Sequence, residues 1–316
     1  TRQASSKAKA FPLHGSHLVG PRAIGVVSNW EAVKEGLKLM THLLTRETTP
    51  RPDFASYIQF VMAIGMNTLH RGIIQHVHDC MLALLDAFFV SYPSSFIELI
   101  AQLTAQCYES TLPIIRRSGA LPFILHSILT TLHHHCSSLL PLLVVQLIGW
   151  CDHVALPSLP VQSHEWTVYA NAFQHAITNT SHSTEEDRRR HLVHALNSIT
   201  VCASSPDLAS HFHPHLLHLL STSLTLLDSQ ECFFPSLVTP SWNVKSATAQ
   251  LLAVVVKRVF RARRSRGEDE RINRVSSLAI AIEFPQLFST LRDLLVRPTS
   301  GERCRFAVVA CVWGDD

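Results

Sequence analysis

The chain is 316 residues long, room for one elongated domain or two compact ones, with a formal net charge of only +3 that twenty histidines make sensitive to pH. Charged residues are 16% of it, against about 25% in an ordinary soluble domain, while apolar residues reach 47%. Such a chain buries a large core or lays much of its surface against something else; its eight cysteines, scattered without a CxxC pair, argue against a disulfide framework and for reduced core thiols in a cytoplasmic setting.

Residues 1–27 are polar, basic and punctuated by Gly and Pro, the pattern of a flexible tail. No signal or transit pattern opens the chain, and it stops abruptly at Trp313-Gly314-Asp315-Asp316, so a piece of something longer is expected. Ser28-Asn29-Trp30-Glu31 is a capping box that predicts a helix to about Arg46. Pro50 and Pro52 punctuate, and a second helix follows with Phe54, Tyr57, Ile58, Val61 and Met62 at helical spacing. The third is the clearest: Ile73, Ile74, Val77, Cys80, Met81, Leu84, Leu85, Phe88 and Phe89 form one continuous stripe. Pro93 is expected to start a fourth, carrying Phe96, Ile97, Ile100, Leu103 and Cys107.

Next comes Arg116-Arg117-Ser118-Gly119-Ala120-Leu121-Pro122-Phe123. Ser118 suits a helix cap, Gly119 permits a positive φ, and Pro122 fits a first helical turn. The stretch therefore predicts a helix-to-helix corner presenting a double-arginine fork. Two guanidiniums at the mouth of an apolar segment need carboxylate, phosphate or carbonyl partners, because an unpaired buried charge is costly. Helices are predicted over about 122–135 and 138–150. No Asp, Glu, Lys or Arg occurs from Ser118 through Cys151, which raises a membrane span. His133-His134-His135-Cys136 and Pro141 cut that run into pieces shorter than the roughly 20 residues a span needs, so buried helices and no membrane are expected.

Leu156 to Gln162 reads as a proline-bearing linker, and Glu165 to Thr178 as a helix with Trp166, Tyr169, Ala170 and Phe173 inward. Asn179-Thr180-Ser181 is a formal glycosylation sequon without meaning outside a secretory setting. Ser183-Thr184-Glu185-Glu186 is a second capping box, opening a helix to about Cys202. Ser205-Pro206-Asp207 places an N-cap and a first-turn proline before a leucine-rich run to Leu227. Ser241-Trp242 opens a helix to about Arg264, and weaker helices fit 270–282 and 285–296. Strand alternation persists nowhere and glycine is sparse. The fold expected is all-α, a HEAT- or armadillo-like α-solenoid of antiparallel helix pairs. Its organisation would be helical repeats over 28–152, a linker at 153–164, further repeats over 165–296, and an unassigned tail from 297.

Catalytic motifs leave no trace: there is no GxGxxG after a strand, no P-loop, no GxSxG elbow and no HExxH. The histidines of 133–135 and His211-x-His213-x-His215-x-x-His218 invite a metal reading, and His215 and His218 could share a face. Consecutive helical histidines point about 100° apart, however, so no metal is expected. A second basic feature is Lys257-Arg258-x-x-Arg261-x-Arg263-Arg264-x-Arg266, with Arg271 and Arg274 beyond it. Lys257, Arg261 and Arg264 share one helix face. Cations at a helix end complement its dipole, but eight within eighteen residues suit phosphate contacts that position a nucleic acid without reading its sequence.

Several of these stretches together resemble one family, the thyroid-adenoma-associated proteins (THADA) and their fungal relatives. The family's central domain carries an Arg-Arg-Ser-Ala-Gly-Leu-Pro-Phe signature, matched by residues 116–123 with Ala and Gly exchanged. His70-Arg71-Gly72 matches an upstream element, and His194-Ala195-Leu196-Asn197 a downstream one. Trp242-Asn243-Val244-Lys245, Val259-Phe260, Asn273-Arg274 and Phe284-Pro285 follow in the family's order, so the resemblance covers roughly residues 54–296. It implies a helical-repeat regulator that is not itself an enzyme. It implies as partners tRNA and a tRNA 2′-O-methyltransferase acting on nucleotide 32 of the anticodon loop. The methyl donor would belong to that enzyme, leaving this chain without cofactor or small-molecule substrate.

On this reading Arg116, Arg117, His70 and Arg71 would meet RNA or the partner, with Ser118, Gly119 and Pro122 holding the corner. Lys257, Arg258, Arg261, Arg263, Arg264, Arg266, Arg271 and Arg274 would form a second phosphate-facing patch. An inter-repeat clamp on helix C-terminal carbonyls or a buried carboxylate is the structural alternative for the arginine pair. A protein scaffold that binds no RNA is the functional alternative.

Overall fold

The computed structural model describes residues 30–46, 54–68, 70–110, 119–158, 163–177, 184–228 and 242–261, with Pro285, Ser289 and Arg292 beyond them. Among these residues there are helices and no strand. They are α1 (Trp30–Arg46), α2 (Phe54–Asn67), α3 (Arg71–Ser91), α4 (Phe96–Ser110), α5 (Leu121–His135) and α6 (Leu140–Gly149). α7 (His164–Ala176), α8 (Glu185–Ser204), α9 (Ala209–Phe212), α10 (Leu216–Asp228) and α11 (Trp242–Arg261) follow. The tail 1–27, Ser28, Pro50, Pro52, the linker's 159–162, the sequon, Ser183, Arg263 to Arg274 and everything expected after 297 lie outside the described residues.

α1, α3, α5, α8 and α11 stack as one row, each packed on the next. The register between α3 and α5 can be read from their side chains. His78 meets His126 and Asp86 meets His135, at sequence separations of 48 and 49. A constant offset along two helices means that they run parallel. Equivalent helices of consecutive repeats stack in this way, with the helix between them returning the chain. α2 packs on α3 and α5, α4 pairs with α7, α6 meets α5 and α8, and α10 pairs with α11. The structure is an all-α helical-repeat fold.

The stripe of α3 does what its breadth predicts. Ile73, Ile74, Val77, Cys80, Met81, Leu84, Leu85 and Phe88 are buried, between α1, α2 and α5, while Phe89 is only half-buried and stacks on His135. Gly72–Ser91 is long and apolar enough to cross a membrane by length and composition; here it is a central member of the row. The apolar stretch after the arginines is divided into α5 and α6 by the turn at Cys136–Leu139.

Three expected helix starts move. Pro93 opens a 3-10 turn, Pro93–Ser95, and α4 begins only at Phe96. In the second capping box the cap is Thr184, whose Oγ1 accepts from the Asp187 backbone N–H at 3.1 Å; Glu185 is already helical. The run from Ser205 to Leu227 is not one helix. Pro206–Leu208 form a turn, α9 lasts four residues, and Pro214 sits in a 3-10 turn before α10. Proline has no N–H to continue the helical ladder, so the backbone tightens there and restarts.

Candidate functional site

The corner that carries the arginine signature is described from Gly119 onward; Arg116, Arg117 and Ser118 lie outside the described residues. The N-cap of α5 is Ala120, at φ −90° and ψ −20°, not Ser118. Pro122 occupies the first turn and is buried. Gly119 is not needed for a positive φ. Its reason is space: a Cβ there would stand 2.7 Å from Ile74 Cδ1 on α3. Ala120 in turn reaches α2, 3.4 Å from where a Cβ on Gly65 would be. That same Gly65 position is 2.9 Å from Val77 Cγ1 and 3.0 Å from Ile124 Cδ1. Three helices thus come close together where α5 begins, with a glycine at each of two close approaches.

His70-Arg71-Gly72 opens α3. His70 is the N-cap, exposed, with its ring stacked on Trp30 of α1 at 4.2 Å between centroids. The Lys34 ammonium stands 5.8 Å from the centre of the Trp30 ring. A Cβ on Gly72 would come within 3.1 Å of the His70 imidazole, so the glycine lets the ring fold back over the helix start. Arg71 is the first helical residue. Its glycine neighbour, read from sequence only as part of a motif, has a steric cause.

The second basic feature is described as far as Arg261, the last residue of α11. Lys257 and Arg258 are half-buried. Arg258 donates from Nη2 to the Ser204 carbonyl at 2.7 Å and from Nε to the Ala203 carbonyl at 3.2 Å. These carbonyls close α8, where the last turn lacks intrahelical partners. Arg258 therefore ties α11 to the end of α8, a clamp of the kind weighed for the arginine pair and found at a different arginine.

Histidines line the junctions of the row. His78 Nδ1 lies 3.1 Å from Asp79 Oδ1, while its Nε2 faces His126 Nδ1 at 2.8 Å. With Asp79 accepting from His78 Nδ1–H, the Nε2 lone pair accepts from His126. Burial and the neighbouring His78 push the His126 pKa down to about 4, with Asp207 opposing. The three consecutive histidines of α5 go three ways. His133 meets His211 at 3.3 Å, His134 is exposed, and His135 bonds Asp86 at 3.0 Å while stacking on Phe89. Among the described residues no three His, Cys, Asp or Glu side chains gather as metal ligands.

A polar network that sequence reasoning missed joins α6, α7 and α8. The Tyr169 hydroxyl donates to Gln146 Oε1 at 2.6 Å, and Gln146 Nε2 donates to the Ala155 carbonyl at 2.8 Å. Trp150 Nε1 donates to the same carbonyl at 3.3 Å, and His191 Nε2 donates to the Trp150 carbonyl at 3.0 Å. Tyr108 packs edge-on against both Trp150 and His191. Gln146, Tyr169 and His191 are all buried. A glutamine in the middle of an otherwise apolar helix was the available signal. Burial also raises the thiols: Cys80 to about 11 and Cys151 to about 12, with Cys107 and Cys202 pushed up further, so these cysteines are poor nucleophiles. His194 and Leu196 of the His-Ala-Leu-Asn element are buried on α8 and serve the core.

Stacked parallel helices, steric glycines at the corners and polar ties between repeats define a helical-repeat protein. The chain belongs to the THADA/TRM732 family: the family's model, DUF2428, matches residues 16–231. That membership associates it with tRNA modification, as the sequence resemblance implies. The matched span takes in α1 and the residues before it, His70-Arg71-Gly72, the arginine corner and His194–Asn197. It ends before Trp242, so the basic feature of α11 lies beyond it. No curated protein matches the chain, and no solved structure does.

Proposed function

We propose that this protein is a non-catalytic regulator that partners a tRNA 2′-O-methyltransferase in the cytoplasm and directs ribose methylation of nucleotide 32 in the anticodon loop. The observation that carries the proposal is the family match over residues 16–231. Its supporting physics is positional. A row of helices locked by side-chain ties offers a rigid surface on which a tRNA and an enzyme can be held in register, and holding two reactants in place lowers a barrier without any catalytic group. The methyl donor and the chemistry belong to the partner enzyme. Arg116, Arg117 and, apart from the Arg258 clamp, the cations from Lys257 onward supply charge for the phosphate backbone.

The test is reconstitution. The purified methyltransferase is assayed on unmodified tRNA with and without this chain, and tRNA retention by the chain is measured across a salt series. Methylation of nucleotide 32 should require the chain, and retention should fall steeply with salt as released counterions predict. Methylation at full rate without the chain contradicts the proposal. Salt-insensitive association with protein and no tRNA retention would favour a scaffold that binds no RNA.

A further inference from the structure

Of the three histidines that close α5, the first has a partner far along the chain. His133 Nδ1 faces His211 Nε2 of α9 at 3.3 Å, across a sequence separation of 78 residues. Both rings are half-buried. Their planes cross at 75° with centroids 5.4 Å apart, so the two nitrogens converge without the rings stacking. A tetrahedral Zn²⁺ with nitrogens at about 2.0–2.1 Å holds any two of them roughly 3.3–3.4 Å apart. The spacing is that of two ligands on one ion. His78 and His126, at 2.8 Å, stand closer than that. Burial and the neighbouring His133 push the His211 pKa below its ordinary value, so near pH 7 the ring is neutral, the form that a metal binds.

We propose that His133 and His211 bind Zn²⁺ between Nδ1 of the first and Nε2 of the second, with water in the remaining positions. Two neutral imidazoles at this distance share one proton, one ring donating and the other accepting. When the ion enters, two N–Zn bonds form and the N–H···N bond breaks. Its proton moves to the far nitrogen of the same ring, so none is released. The consequence is structural. α9 is four residues long, between the turn at Pro206–Leu208 and the 3-10 turn at His213–His215. A helix that short does not hold itself in place, and Leu208 and Phe212 seat it by burial. The ion ties this broken segment to α5, and with it the joint between α8 and α10. With two protein ligands the site is weaker than a closed four-ligand one and depends on free zinc.

The full chain, stripped of metal, is titrated with Zn²⁺ alone. It should retain one more ion per chain than His133→Gln or His211→Gln, and zinc should raise its thermal midpoint more than that of either variant. The double variant should match the single ones, since one ligand alone does not hold the ion. His134→Gln, which removes an exposed ring, should bind as the parent does. Helix content of the metal-free variants checks that they fold. A second measurement needs no variant: in the parent chain, Zn²⁺ should protect His133 and His211 from modification by diethyl pyrocarbonate while His134 stays reactive. Equal zinc retention by parent and variants, or modification of His133 and His211 that zinc leaves unchanged, overturns the proposal.

Discussion

Gln146 uses both ends of its amide between two repeats, accepting from Tyr169 and donating to Ala155. Because it is buried, it cannot exchange either bond for water. Tyr169→Phe leaves the Gln146 oxygen without its donor, a loss of about 1–3 kcal/mol that urea unfolding should register; an unchanged midpoint would mean the network contributes nothing. His126 sets a pH dependence. Its folded pKa of about 4 lies below the ordinary 6.5, so the unfolded chain binds the proton more readily. Its contribution is fully present above about pH 6.5 and is lost as pH falls from there toward 4. Facing it are His78, whose own proton is held by Asp79, and Asp207. The thermal midpoint should therefore drop across that window, and His126→Asn should make the drop shallower. A slope equal to the parent's would assign the pH response to other groups.

At the scale of elements, Arg258 is the clearest tie, since it caps α8 from α11. Hydrogen bonds from a charged donor contribute about 1.5–3 kcal/mol, and partial exposure brings the expected cost of Arg258→Ala down to about 1 kcal/mol. Lysine, without the guanidinium fork, should recover only part of it in the same unfolding assay. The helices themselves were legible because their apolar stripes are broad and long, as in α3. Their starts were less so. Thr184 and Ser183 are both capping residues, and only the backbone decides between them. Pro206 and Pro214 each permit a helix start, and at both the backbone forms a tight turn instead before the helix restarts. The pairings that tie the repeats were not legible, although Gln146 stands out within an apolar helix. His78 with His126, Tyr169 with Gln146 and Arg258 with Ser204 are 48, 23 and 54 residues apart, and no local pattern marks them.

Across the whole molecule, the proposed function asks different work of different arginines. Arg258 is committed to helix carbonyls and holds repeats together, while Arg116 and Arg117 lie outside the described residues and are given phosphate or partner contact by the proposed function. A pair of adjacent guanidiniums is suited to a phosphate or a partner carboxylate. Arg116→Ala with Arg117→Ala should therefore abolish support for methylation while leaving the unfolding midpoint unchanged; a variant that unfolds would make the pair a structural clamp like Arg258. The regulator account is tested most directly by nucleoside mass spectrometry of tRNA from cells depleted of this protein. Selective loss of 2′-O-methylation at nucleotide 32, with nucleotide 34 retained, is the predicted result. Unchanged methylation at nucleotide 32 would contradict it.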